Sequence, residues 1–265
     1  MKIFIITMED PVYTLAFIRE IIEKRQPDIL GIAIVKGNRF TLPKKRSKLI
    51  YLLSLFVIMG VTHFIKFSWL TIRFKVRKKL AHFLTFIEDP SLLHFARQKG
   101  IKTFTVTNPN NKELIRELKE MNPDIIINQS QNLIKGRLLR AARIGVINRH
   151  NALLPKNRGR LAPFWALYKN EKETGVSIHF VEEGIDCGDI IVQERFPIDK
   201  KDNFNSLVRK NYQAAPRAMF KALALLEKGR YELIKNDDTL STYNSVPTLK
   251  QALTYRWARM KRLWN

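Results

Sequence analysis

Residues 2–35 read KIFIITMEDPVYTLAFIREIIEKRQPDILGIAIV. Lys2 to Thr7 is a short apolar run rich in β-branched residues, the pattern of a strand buried on both faces. Asp10 and Pro11 open an amphipathic stretch that reaches about Lys24, and Pro27 and Asp28 close it. Ile29 to Val35 is a second buried-strand pattern. Strand, helix, strand predicts a right-handed parallel unit, and with it an α/β fold.

Working outward, the alternation breaks off from about Lys36 to Phe86 and then resumes. A helix is expected over 90–98, a strand over 102–106 and a helix over 111–121 with Asn110 or Asn111 as its cap. A strand at 124–128, a helix near 135–142 and a strand at 145–148 follow. A helix over 161–169, a strand pair at 176–181 and 190–196, and one long helix over 203–228 complete the pattern. The expected architecture is Rossmann-like: a mostly parallel sheet with a basic apolar helical insertion and a short helical C-terminal tail. The domain reading is a catalytic unit over 1–200, with the insertion at about 37–86, and a helical extension over 201–265. No G-x-G-x-x-G follows the first strand, so a standard dinucleotide site is not expected.

Hydrophobic residues make up 45% of the 265, enough for a sizeable core. One cysteine, Cys187, excludes an internal disulfide framework and a thiolate metal cluster, and no metal site is expected. Met1 to Thr7 lacks the charged start and small-residue cleavage site of a secretory leader, so a cytoplasmic setting is expected. The formal charge of +23 predicts attraction to phosphates of nucleic acid or anionic lipid. That charge is patterned. No Asp or Glu lies between Asp28 and Glu88, and that window holds twelve Lys or Arg.

The stretch that carries chemistry is Val146–Phe196, VINRHNALLPKNRGRLAPFWALYKNEKETGVSIHFVEEGIDCGDIIVQERF. A strand ends in Asn148-x-His150, where open parallel sheets place ligands. Attack of a nucleophile on a carbonyl carbon builds charge on its oxygen, which needs preorganised donors. Asn148 offers an amide NH2, and His150 follows on the same side of an extended segment. A carboxylate beside the histidine would orient its ring and accept a proton; Asp186, in a Gly-flanked turn between two strands, is suited to that. Taken singly these signals are weak, since Asp-x-Gly is usually only a turn. His179 alternates with apolar neighbours and reads as structural, and His63, His82 and His94 lack partners at useful spacing. No activating base is identifiable near Cys187, which argues against a thiol nucleophile.

In order, Asn148-x-His150, Leu153-Leu154-Pro155, Arg158-Gly159, Thr174-Gly175-Val176 and Asp186-x-Gly188 resemble the folate-dependent formyltransferases. That family includes methionyl-tRNA formyltransferase, glycinamide ribonucleotide formyltransferase and the sugar N-formyltransferases. The resemblance implies 10-formyltetrahydrofolate as co-substrate, and Asn148, His150 and Asp186 as catalytic residues. It also implies a pterin site between Gln129–Ile134 and Val181–Asp186, with Gln131, Asn132, Leu133, Ile134, Val181, Glu183 and Gly184 as contacts. The implied acceptor is an amine, read here as that of a nucleotide- or lipid-linked amino sugar. Methionyl-tRNA is the alternative acceptor, and a non-catalytic membrane or nucleic-acid binding protein is the alternative of another class. About 65 residues follow the strand pair, too few for the C-terminal barrel that the tRNA-formylating members carry, and this lowers the tRNA reading.

Leu49 to Ile65 carries no charge over 17 residues, the lower limit for a span, and basic clusters flank it on both sides, Lys44 to Lys48 and Arg73 to Lys79. A single crossing would split one sheet across the bilayer. The expectation is instead an interfacial helix or shallow hairpin over 44–80, peripheral on the cytosolic face of an anionic membrane. A hairpin packed against another subunit is the alternative. The tail from Ser245 to Thr248 is expected to fold back near the site, and Arg256, Arg259, Lys261 and Arg262 to form a phosphate-binding or simply solvated face.

Overall fold

The computed structural model describes residues 1–37, 47–229 and 231–264, with side chains through Lys261. The expected basic cluster Lys44 to Arg46 and the side chain of Arg262 lie outside the described residues. Strand β1 (Ile3–Thr7) leads through helix α1 (Thr14–Arg25) to β2 (Ile29–Val35), paired in parallel with β1. The chain then leaves the sheet for α2 (Lys48–Met59) and α3 (Val61–Leu80). It returns through α4 (Leu92–Gln98), β3 (Lys102–Val106), α5 (Lys112–Met121), β4 (Ile125–Gln129) and β5 (Gly145–His150). A two-residue strand β6 (Arg158–Gly159) and α6 (Ala162–Tyr168) precede the hairpin of β7 (Glu173–Phe180) and β8 (Ile190–Pro197). Helix α7 (Phe204–Lys228), strand β9 (Tyr243–Asn244) and helix α8 (Leu249–Trp264) follow.

The main sheet runs β3-β2-β1-β4-β5-β7-β8, parallel from β3 to β5 and antiparallel over the last two pairings. Successive strands step outward from β1 to β3, and the chain then crosses back to place β4 on the other side of β1. That reversal opens a crevice at the carboxyl ends of β1 and β4. All five residues of β1 are buried because both faces are covered. Ile3 and Ile5 pack with α1, α4 and α7, whereas Phe4 and Ile6 pack with α5. Each such side chain contributes roughly 1.5–3 kcal/mol, so the unbroken apolar run is what a two-sided core requires. Helix α7 settles on the sheet through Ala215, Ala218 and Ala222, whose small side chains permit close approach. It starts at a reciprocal cap between Asn203 and Ser206.

One expected element is absent. The segment over 135–142 forms successive turns rather than a helix, with Leu138 N–H bonded to Lys135 O and Ala141 N–H to Leu138 O. Gly136, at φ +51°, breaks any helix at its start. Asn111, of the two candidates, caps α5 by accepting from Leu114 N–H at 2.9 Å. The insertion is a helix pair bent by 120° at Gly60, whose φ of +77° makes the break. Its helix α2 is anchored through Ile58, which shares a cluster with Phe164 and Trp165 of α6, Phe204 and Leu207 of α7, and Ala252 and Tyr255 of α8. The tail thus packs on the insertion as well as on the sheet.

Candidate active site

A cleft of about 610 Å³ occupies the crevice at the ends of β1 and β4. Asn148, His150 and Asp186 all line it, as do Gln131, Asn132, Leu133, Ile134, Val181 and Gly184. Glu183 does not: it is exposed on the 181–187 loop, and its neighbour Glu182 lines the cleft instead.

Asn148 and His150 stand two residues apart near the end of β5, as the strand period demands. Asp186 reaches them from the loop between β7 and β8, in a left-handed conformation at φ +50° that Asp tolerates better than most residues. Its Oδ2 lies 3.4 Å from His150 Nδ1, and its Oδ1 lies 3.7 Å from His179 Nε2. Gly159 N–H donates to Oδ2 at 2.9 Å. Gly159 itself has φ +95°, and a Cβ there would sit 2.3 Å from Asn244 O, so only glycine lets β6 bring that N–H to the carboxylate while pairing with β9.

Burial pushes the Asp186 carboxyl up. The His150 and His179 rings, the Gly159 N–H and the Arg158 guanidinium outweigh that and hold it below the usual carboxylate value. His150 Nε2 lies 2.8 Å from Asn157 O, so each of its ring nitrogens faces a protein oxygen. His179 differs. Its Nδ1 lies 2.7 Å from Phe180 O, which can only accept, so Nδ1 carries the hydrogen of the neutral ring. Its Nε2 is buried, makes no hydrogen bond and faces Asp186. Burial pushes the His179 pKa down to about 4, with the Asp186 charge opposing only in part.

These groups tie stability to pH. The folded value of about 4 for His179 lies below its ordinary 6.5, so between those values the unfolded chain binds the proton more strongly and stability falls with pH. The depressed Asp186 acts in the same direction: its contribution is present above the unfolded carboxylate value and is lost as pH falls through the folded one. Urea-unfolding stability is therefore expected to fall between pH 7 and pH 4, with roughly 3 kcal/mol at most coming from His179. His179→Gln should flatten that slope, and equal slopes in both proteins would refute the assignment.

Asn148 is set by residues that a linear reading did not single out. Gln129 Nε2 donates to Asn148 Oδ1 at 2.8 Å, which turns the Asn148 NH2 toward the cleft. Gln129 Oε1 in turn accepts from Arg149 Nε at 2.9 Å. The buried Arg149 continues to Asn151 Oδ1 at 2.5 Å and Tyr212 OH at 3.1 Å, and its guanidinium lies over the Phe17 and Tyr212 rings. On the other wall, Asn236 from the tail donates to Asp186 O at 2.9 Å and to Gly188 O at 2.8 Å, fixing the loop that carries the carboxylate. Ser245 lines the cleft, so the tail does fold back to the site. Gln129, Arg149 and Asn236 come from three separated segments, and no spacing rule links them. Asn110 Nδ2 donates to Leu133 O at 2.8 Å and its Oδ1 accepts from Lys135 N–H at 2.9 Å, holding the 131–134 loop in place. No group of His, Cys, Asp and Glu that could hold a metal occurs among the described residues.

At the switch point of this open α/β sheet an amide, a histidine and a carboxylate line one cleft. The chain belongs to the formyl transferase family, whose model matches residues 85–223. It is 33% identical over 171 residues to methionyl-tRNA formyltransferase of Kosmotoga olearia, covering 64% of this chain and 55% of that one. The chain spans about half the length of the curated relatives it matches. In fold it resembles the N-formyltransferase from Helicobacter canadensis solved with folinic acid and dTDP-3-aminofucose. That similarity has a TM-score of 0.58 and 19% identity, over 92% of this chain and 71% of the other. It also resembles glycinamide ribonucleotide transformylase 1 from Symbiobacterium toebii, with a TM-score of 0.58 and 19% identity, over 89% of this chain and 94% of the other.

Proposed function

We propose that this chain transfers a formyl group from 10-formyltetrahydrofolate to the amine of an amino sugar, with Asn148, His150 and Asp186 as its catalytic residues. The observation that carries this is the convergence of those three side chains on one cleft from β5 and the loop after β7. The cleft suits a flat heteroaromatic ring. Met8, Leu133, Ile134 and Val181 give it apolar walls, and Gln129, Ser130, Asn132 and Glu182 of the two loops add polar residues. Residues of those two loops would hold the folate, which supplies the formyl group.

The Asn148 NH2 donates to the oxygen that gains charge as the amine attacks. His150, with its two nitrogens turned to Asn157 O and Asp186 Oδ2, orients that carboxylate beside the reacting centre. Asp186 accepts the proton that the amine loses and would return it to the folate nitrogen whose bond to the formyl carbon breaks. His179 Nε2, a vacant acceptor facing Asp186 Oδ1, lets that proton be shared once it arrives.

The division into a catalytic unit over 1–200, with an insertion at 37–86, and a helical extension over 201–265 is part of the same proposal, as is a cytoplasmic setting. Tyr51 of α2 lines the cleft while its neighbours Leu49, Ile50, Leu52 and Leu53 are exposed. An apolar helix at the mouth favours a lipid-linked sugar over a nucleotide-linked one. The similarity to methionyl-tRNA formyltransferase supports charged initiator tRNA as the second reading. Incubating the protein with 10-formyltetrahydrofolate and each acceptor separates the two. Formyl transfer to the amino sugar, with methionyl-tRNA nearly untouched, is expected. Efficient formylation of methionyl-tRNA alone would reverse the ranking.

A further inference from the structure

Three adjoining helices carry apolar residues on the side turned away from the domain. On α3 the half-buried face holds Phe64, Phe67, Thr71 and Phe74, together with Lys78, which pairs with Glu9. Opposite that face, Val61, Ile65, Trp69, Ile72, Val76 and Leu80 recur at helical spacing as one stripe, each 40% exposed or more. A surface helix of a soluble domain places its polar residues on that side. Helix α2 repeats the arrangement, with Leu49, Leu52, Leu53 and Phe56 exposed opposite the buried Ser54 and Ile58. So does α8, which packs along α2 and exposes Leu253, Trp257 and Met260 opposite the buried Ala252 and Tyr255.

Cations border the stripes of α3 and α8. Lys66, Arg73 and Arg77 follow one edge of the α3 stripe, and Lys75 and Lys79 the other. On α8, Lys261 Nζ lies 3.7 Å from the centre of the Trp257 ring. No Asp or Glu occurs between Asp28 and Glu88, or after Asp238. A second copy of this chain docked here would therefore set cations against cations. A nucleic acid would neutralise the cations but leave the aliphatic stripes without a partner. An anionic bilayer supplies both, with acyl chains for the stripes and phosphates for their borders. No single described helix is long and apolar enough to cross a membrane, and the pair α2 and α3 turns by 120° at Gly60.

We propose that α2, α3 and α8 form a surface that docks the chain on an anionic lipid bilayer, with the helices lying in the interface. This inference goes beyond the formyl-transfer reading and does not depend on it. Flotation of the full chain with phosphatidylcholine vesicles, with and without phosphatidylglycerol, tests it. Binding is expected to be about tenfold tighter or more with the anionic lipid. It should persist in part at high salt, because salt screens the cations and leaves apolar insertion unaffected.

The triple variant Ile65→Glu, Trp69→Glu and Ile72→Glu changes only exposed side chains, so its melting temperature should hold. Its vesicle binding should fall by about tenfold or more. Lys66→Glu with Arg73→Glu and Arg77→Glu should weaken the preference for anionic lipid. Absence of vesicle binding, or unchanged binding in the apolar variant at unchanged melting, would overturn the proposal. So would a dimer in sedimentation that the apolar variant dissociates, or displacement from vesicles by RNA that binds the apolar variant equally well. Folinic acid binding, measured on the same samples without vesicles, reports on the formyl-transfer reading alone, so the two can fail separately.

Discussion

Asp186→Asn is expected to lower kcat for formyl transfer by about 10²-fold or more while the protein remains folded. Asparagine is the demanding control here. It tolerates the left-handed φ of +50°, and its side-chain oxygen can still accept the Gly159 N–H that holds Oδ2 at 2.9 Å. The loop also keeps its bonds from Asn236 to Asp186 O and Gly188 O. What is lost is the negative charge between His150 and His179 and the capacity to take up a proton. His150→Ala should have a comparable effect, because it removes the ring that faces that carboxylate and the Asn157 carbonyl. A kcat near the unsubstituted value for Asp186→Asn, at an unchanged melting temperature, would remove Asp186 from the catalytic assignment.

The second large effect is expected at Asn148. Asn148→Ala removes a neutral donor and no charge, yet it should lower kcat by about 10²–10³-fold, the usual loss for one donor to a developing oxyanion. The loss should appear in kcat more than in KM, because the interaction strengthens only as charge develops. Gln129→Leu leaves Asn148 in place but removes the 2.8 Å bond that turns its NH2 toward the cleft. As a positioning residue, Gln129 should cost less, about tenfold, and again mainly in kcat. Gln129→Asn, one methylene shorter, should fail to restore the rate if reach to Asn148 is what matters. Unchanged kcat in Asn148→Ala, or a Gln129→Leu loss confined to KM, would contradict this division of labour.

Much of the scaffold was legible because burial imposes a local signature. A strand covered on both faces needs a near-continuous apolar run, and Ile3–Thr7, Ile29–Val35 and the Ile125 to Ile127 start of β4 announce themselves that way. Helix α5 carries its own cap in Asn111, and α7 its own start in Asn203. The missing helix over 135–142 shows the limit of such reading. Its composition suits a helix, but Gly136 at φ +51° and one-turn hydrogen bonds serve the loop beside the cleft instead.

The sequence by itself determined most of the order of strands and helices, the placing of Asn148 and His150 on one strand, and the acid-free basic window around the insertion. Each is a local property, carried by residue type and by the period of two or 3.6 along the chain. Only the tertiary structure decided that His179, alternating among apolar neighbours, would face Asp186 with an unbonded Nε2. Only it decided that Gln129 and Arg149 would set the Asn148 amide, that Asn236 would clamp the Asp186 loop 50 residues away, and that α8 would lie along α2. Hydrogen bonds and packing contacts of that kind join segments that the sheet order brings together, and a polar side chain shows no preference for a distant partner until the fold has removed water from around it.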